Sequence, residues 1–264
     1  MKFRLAVHFL LFTAITMCLF SGGEAIMNPY DLKTYQDDVI HNYAKAVGLP
    51  ADYSFANGKP VLPLPPINVA ISGVMIIGAY PSADFQGGGI PMGNLKIPFD
   101  PTVYPHGINR SAEELDKEYL APLGLTRKDC WITNLVKVFL FKSAHTRPHG
   151  KAGGAAAPVE TRSNFDSYAK KSLPWLEKEL LLAKPKLIIT LGAEVAGVVT
   201  GTAPSARVQL LDYTIRRIQL GGREYKIVHM VHPGQLMRDN PKWTKIHETG
   251  VKSLRQDIRE LLKQ

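Results

Sequence analysis

The 264-residue chain predicts a single α/β domain built on a parallel sheet covered by helices on both faces. Three observations carry this. The apolar runs "VMIIG", "CWITNLVKVFLF" and "PKLIITLG" have the composition of buried strands. Helical patterns separate them, so strands and helices alternate along the chain. With 45% hydrophobic and 21% charged residues, the chain can bury a core and does not have the composition of a disordered protein.

The first 25 residues stand apart from the domain. "MKFR" is a basic start, "LAVHFLLFTAITMCLF" is almost wholly apolar, and Gly23 and Ala25 are small residues at the −3 and −1 positions of a cut. This is the layout of a signal peptide, and its apolar run is short for a stable membrane span. Met17, before Cys18, is too large for a lipoprotein cleavage site. Two alternatives stay open: an uncleaved anchor, or a cytosolic protein that starts at Met27. Residues 27–264 form the expected domain.

Within it, Asn28 and Pro29 suit a helix start, and "YDLKTYQDDVIHNYAKAV" keeps helical spacing up to Gly48 and Pro50. The connector "KPVLPLPPI" leads to the "VMIIG" strand, which runs into the loop "AYPSADFQGGG". Glycine there tolerates close approach by a ligand, and proline stiffens the turn. "SAEELDKEYLAPLG" reads as a short capped helix and "CWITNLVKVFLF" as the second strand. Residues 143–163, rich in Gly, Ala and Pro, read as a long mobile insertion. "FDSYAKKSLPWLEKELLLAK" is a helix with Pro174 in its first turns or at a kink. "PKLIITLG" is the third strand, and "AEVAGVVTG" the helix after it. Gly221-Gly222 suits a tight turn between the arms of a hairpin in "IRRIQLGGREYKIVHM". An amphipathic helix, "WTKIHETGVKSLRQDIRELLK", closes the chain.

The net charge of +9 and a pI near 9.4 favour polyanionic partners over acidic proteins, although solubility alone also accounts for them. Without the first segment the only cysteine is Cys130. That excludes an intrachain disulfide framework and a cysteine-ligated cluster or zinc site.

The strand ends read "GAYPS", "ITNLVK", "TLG" and "VHPGQLMR", and a parallel sheet brings such ends to one rim. Asn134 offers an amide that both donates and accepts, which suits a base edge. His232, before a proline, can donate to a developing oxyanion. Either residue alone is more often structural. Four such ends in one chain argue together.

In this order, "IIGAYPS…ITNLVK…PKLIITLG…VHPGQLMR" resembles the uracil-DNA glycosylase superfamily, especially its bacterial families 4 and 5, over roughly residues 70–262. The resemblance implies a three-layer αβα sandwich with a central, mainly parallel four-stranded sheet, and a target base flipped into a pocket at the C-terminal rim. Asn134 would read the uracil edge and His232 would steady the departing base. Gly78, Ala79, Tyr80 and Pro81 would form the pocket floor. In "PGQLMR", Gln235 and Arg238 would lie along the DNA, and Leu236 or Met237 would fill the vacated stack. Leu236 and Met237 fit equally well as packing toward the last helix. Lys137 and Lys142 are candidates for phosphate contacts.

The sequence also departs from the family. Its patterns place a carboxylate or Asn in the first motif, directly after the Gly or directly before the Pro; Ala79 and Tyr80 occupy those positions here. Asp84 is the nearest candidate for positioning water, and Asp100 the next. The four cluster-binding cysteines of family 4 are missing, so no iron–sulfur cluster and no other cofactor is implied. Phe85 and Phe99 are both available to stack on the base. Two main readings follow. One is a monomeric DNA glycosylase that removes uracil or a related deaminated base from uracil-containing DNA in base-excision repair. The other is a glycosylase-like protein that binds nucleic acid or a nucleobase without cleaving it. The N-terminal segment adds a third, an exported hydrolase; the domain itself suggests the cytoplasm.

Overall fold

Asp31 opens the first helix of the computed structural model, its carboxylate accepting from the Thr34 backbone N–H at 2.7 Å. The helix therefore starts three residues later than Asn28 suggests, at α1 (Leu32–Val47), and Gly48 ends it in the left-handed region at φ 82°. The structure describes residues 31–86, 89–104, 107–146, 158–238 and 240–263, and residues 31–264 make one compact unit. The signal-like segment, Asn28 and much of the 143–163 insertion lie outside the described residues.

The chain next forms strand β1 (Val74–Gly78). Within and beyond the segment read as a loop, two strands pair antiparallel, β2 (Ala83–Gln86) and β3 (Ile90–Asn94), with a bulge between Asp84 and Phe85. A two-residue ladder, β4 (Val103–Tyr104) and β5 (Gly107–Ile108), follows. The helix expected next runs as α2 (Arg110–Glu114), a π-helical stretch (Leu115–Leu120) and α3 (Ala121–Leu123). β6 covers only Cys130–Asn134; the apolar residues after it are buried but not extended into the sheet. After α4 (Ser143–Thr146) comes α5 (Phe165–Ala183), with Pro174 in its interior rather than its first turns. Then follow β7 (Leu187–Leu191), α6 (Ala193–Thr200), β8 (Arg216–Leu220), β9 (Arg223–Met230), α7 (Pro233–Leu236) and α8 (Pro241–Lys263). Gly221 and Gly222, at φ 55° and 75°, make the predicted hairpin turn.

The main sheet has five strands in the order β6-β1-β7-β9-β8. Four are parallel, as the resemblance implies; β8 adds a fifth, antiparallel edge because the tight turn sends it back along β9. One face buries Val74, Ile76, Ile132, Ile189 and Val228 against Leu115, Tyr119 and Leu123 and against Val251, Leu254 and Ile258 of α8. On the other face Trp131 and Thr133 reach Glu179 of α5, which also receives the Tyr35 hydroxyl of α1. The result is three layers, helix–sheet–helix. No helix among the described residues is long and apolar enough to cross a membrane.

The strand pairing aligns the functional ends. Gly78 lies opposite Asn134, and Leu191 opposite Met230. All four stand at the C-terminal rim.

Candidate active site

A cleft of about 490 Å³ opens at this rim, lined among others by Ala79, Tyr80, Pro81, Phe99, Asn134 and His232. Segments distant in sequence therefore meet where an open α/β sheet places its ligands.

Asn134 carries the clearest signal. Its residue is 1% exposed, and neither Oδ1 nor Nδ2 has a hydrogen-bond partner among the described residues. A buried amide left unpaired costs roughly 1–3 kcal/mol for each unsatisfied group, so it calls for a ligand that both donates and accepts. Gly78 makes room for it: a Cβ there would stand 2.4 Å from Asn134 Oδ1 and 2.5 Å from the Phe99 ring. Phe99 holds a left-handed backbone at φ 50°, costly for a bulky residue. Asp100 secures that turn by accepting from the backbone of Lys96 at 2.9 Å and Thr102 at 2.8 Å and from Tyr104 Oη at 2.5 Å. Burial raises the Asp100 pKa, but these donors outweigh it and hold the carboxyl below its usual value. Asp100 is committed to the loop and is not poised to handle water.

Phe99 thus packs beside the unpaired amide. Phe85 also lines the cleft, but its ring packs with Phe139 and His145, at centroid distances of 5.9 and 5.6 Å. Of the two aromatic candidates, Phe99 is the one beside Asn134.

His232 caps α7 with its own ring, Nδ1 accepting from the Gly234 N–H at 3.0 Å. Gly234 permits this closeness, since a Cβ there would stand 3.2 Å from Nδ1. With Nδ1 accepting, the neutral imidazole carries its proton on Nε2. Burial pushes the pKa down to about 4, with Lys142, Arg238 and Arg162 acting in the same direction against Glu194. The ring is therefore a neutral donor at physiological pH. Tyr213 Oη donates or accepts with His247 at 2.6 Å and lies 3.2 Å from Val231 N, while Tyr119 Oη donates to Val231 O at 2.6 Å. These contacts fix the backbone just before His232.

Around the mouth stand Lys142, Arg162 and Arg238, with Glu194 as the only carboxylate lining the cleft among the described residues. Burial and the neighbouring Arg162 and Arg238 lower the Lys142 pKa, so the cations crowd one another. Such a mouth suits a phosphate. Tyr80 accepts from Arg162 Nε at 3.1 Å, and Arg162 forms an ion pair with Glu194. Arg162 and Glu194 escape a reading by strand ends, because Arg162 follows the insertion and Glu194 sits inside the helix after "TLG".

Other expected residues fall differently. Lys137 is fully buried and ion-paired with Glu179, so it makes no phosphate contact in this arrangement. Its Nζ instead donates to Thr133 Oγ1 and to the Asn134 carbonyl, both at 2.7 Å. Leu236 packs against the core, while Met237 is 38% exposed. Gln235 and Arg238 line the cleft. Asp84 faces an adjoining hollow with Tyr104, Arg110 and Met237 and does not line the main cleft.

The rim of the parallel sheet thus presents an unpaired amide, an aromatic ring and a neutral histidine donor to one cleft, the layout of an α/β protein that binds its ligand at the strand ends. The sequence pattern of the Uracil DNA glycosylase superfamily matches residues 67–258, most of the chain, and the chain belongs to that superfamily. No curated protein matches it significantly.

Proposed function

We propose that the protein is a DNA glycosylase that hydrolyses the N-glycosidic bond of uracil, or of a related deaminated base, as the first step of base-excision repair. The unpaired, buried amide of Asn134 carries this reading. Uracil offers adjacent donor and acceptor groups, and an amide can satisfy both. A base within a duplex cannot reach such a recess, so the nucleotide must leave the stack at a cost of a few kcal/mol. Phe99 offers the ring on which the extruded base stacks. Lys142 and Arg238 offer charge to the flanking phosphates, and the exposed Met237 is the better placed of the two wedge candidates.

As the bond breaks, its electron pair moves onto the base, and negative charge gathers on the base oxygens. The Nε2–H of His232 donates to that charge more strongly in the transition state than in the ground state, which lowers the barrier. Because the ring is neutral, it keeps its proton and acts as a fixed donor.

Incubating the purified protein with a uracil-containing oligonucleotide, then cleaving abasic sites with alkali, tests the reading. Strand breaks at the uracil position are expected. Ala79 and Tyr80, standing where the family pattern has its polar residues, favour a second reading as a binder without catalysis. Retained binding with no abasic sites would select it.

A further inference from the structure

We infer that Glu194 supplies the carboxylate that the first motif lacks, from the opposite lip of the cleft. The inference rests on the glycosylase reading above.

The sheet order sets the stage. From β1 the chain proceeds to β6 on one side, and from β7 to β9 on the other. The connections diverge between β1 and β7, so the crevice lies between those two strands. Its lips are the turn after β1, with Tyr80, and the junction of β7 with α6, with Gly192 as the cap and Glu194 in the first turn of the helix. Arg162 ties them together: its Nε donates to Tyr80 Oη at 3.1 Å, and its Nη2 pairs with Glu194 Oε2. Tyr80 occupies the place before Pro81, and the negative charge stands across the crevice at the other end of that arginine.

Glu194 suits the task on several grounds. It is the only carboxylate lining the cleft among the described residues, while Asp100 is bound to its own loop and Asp84 faces the adjoining hollow. It lies in the first turn of α6, where the helix dipole favours an anion. Its side chain is 46% exposed, and the described contacts engage only Oε2, so Oε1 can meet a water. Gly192, just before α6, packs against His232, whose Cβ would stand 3.2 Å from a Cβ at that glycine. Carboxylate and imidazole thus face one cleft, one for the sugar and one for the base.

The step balances. The C1′–N bond breaks with its electron pair leaving on the base, which His232 steadies. A water oxygen bonds to C1′, and the water's proton passes to Glu194 and then to solvent. Until the new bond forms, the carboxylate stabilises the positive charge on the sugar.

Single-turnover cleavage of a uracil-containing oligonucleotide by E194Q and E194A, with binding followed by fluorescence anisotropy and folding by thermal melting, tests this. E194Q is expected to cleave roughly 10²-fold more slowly, the lower end of the range for losing one charge-stabilising group, with binding retained. Added formate should restore part of the E194A rate, which a structural role for Glu194 does not predict. E194Q cleaving within twofold of the unaltered protein would overturn the inference and leave the glycosylase reading intact. A slow E194A that formate fails to rescue would also overturn it, marking Glu194 as a holder of Arg162. An unaltered protein that binds the oligonucleotide but never cleaves it would remove the glycosylase reading, and this role with it.

Discussion

The Nζ of Lys137 donates to the main-chain carbonyl of Asn134 at 2.7 Å, tying the residue with the unpaired amide to an ammonium that is itself fully buried. Burial lowers the Lys137 pKa while Glu179 opposes that shift. The pair is closed: Glu179 also accepts from Tyr35, Trp131 and Thr133. Breaking it by Lys137→Met leaves a buried carboxylate uncompensated and is expected to cost about 3–5 kcal/mol in urea unfolding. The double variant K137M/E179Q, which removes both charges, should recover part of that loss. A K137M protein as stable as the original would contradict this account.

Gly78 is predicted to be the least replaceable residue of the pocket floor. An added methyl meets Asn134 Oδ1 and the Phe99 ring at separations that no real Cβ shows. Gly78→Ala should lower stability by about 1–3 kcal/mol, as overpacking does, and weaken cleavage more than DNA binding. Thermal melting, anisotropy and single-turnover rates distinguish the three effects.

Stability should fall as pH drops from about 6.5 toward 4. Burial pushes His229 and His232 each down to about 4, below the ordinary value of 6.5. In that window the unfolded chain binds protons that the folded chain refuses, so acid favours unfolding. Above the window both rings are neutral in both states and contribute nothing. Urea midpoints measured at either end should show the drop, and His229→Gln should make it shallower. Cleavage, if it needs neutral His232, should hold its rate until the pH nears 4.

Arg238 and Lys137 should separate in their response to salt. Each phosphate neutralised on duplex DNA contributes about −0.9 to the slope of log binding constant against log salt. Arg238→Ala should flatten that slope by about one such unit, because this residue is exposed and lines the mouth. Lys137→Met should leave the slope unchanged if it folds, since its ammonium is wholly buried. Equal effects from both would remove the distinction.

Much of this was legible in the sequence. The apolar runs "VMIIG", "CWITNLVKVFLF" and "PKLIITLG" declared buried parallel strands, although the second pairs only as far as Asn134, and Gly221-Gly222 declared the hairpin whose arm widens the sheet to five strands. Asn134 and His232 were legible because strand ends in such a sheet share one rim. Lys137 was not, since nothing local separates a surface lysine from one whose partner, Glu179, lies 42 residues further on. The choice between Phe85 and Phe99 depended on a left-handed backbone at Phe99, which no residue pattern announces. The β2–β3 hairpin was hidden because glycines signal a turn without saying that its flanks pair. Glu194 was hidden because its role depends on Arg162, brought across the crevice by the fold.

The most direct test of the central claim is the single-turnover rate of uracil excision by His232→Ala relative to the unaltered protein, with DNA binding measured alongside. In the proposed mechanism the Nε2–H of His232 donates to the departing base, so the rate should fall roughly 10²–10³-fold, as when one oxyanion donor is removed. Binding should change little, because phosphate contacts supply most of it. A His232→Ala protein that excises uracil as fast as the original, or an original that excises no uracil, hypoxanthine or xanthine from either single- or double-stranded DNA, would contradict the account.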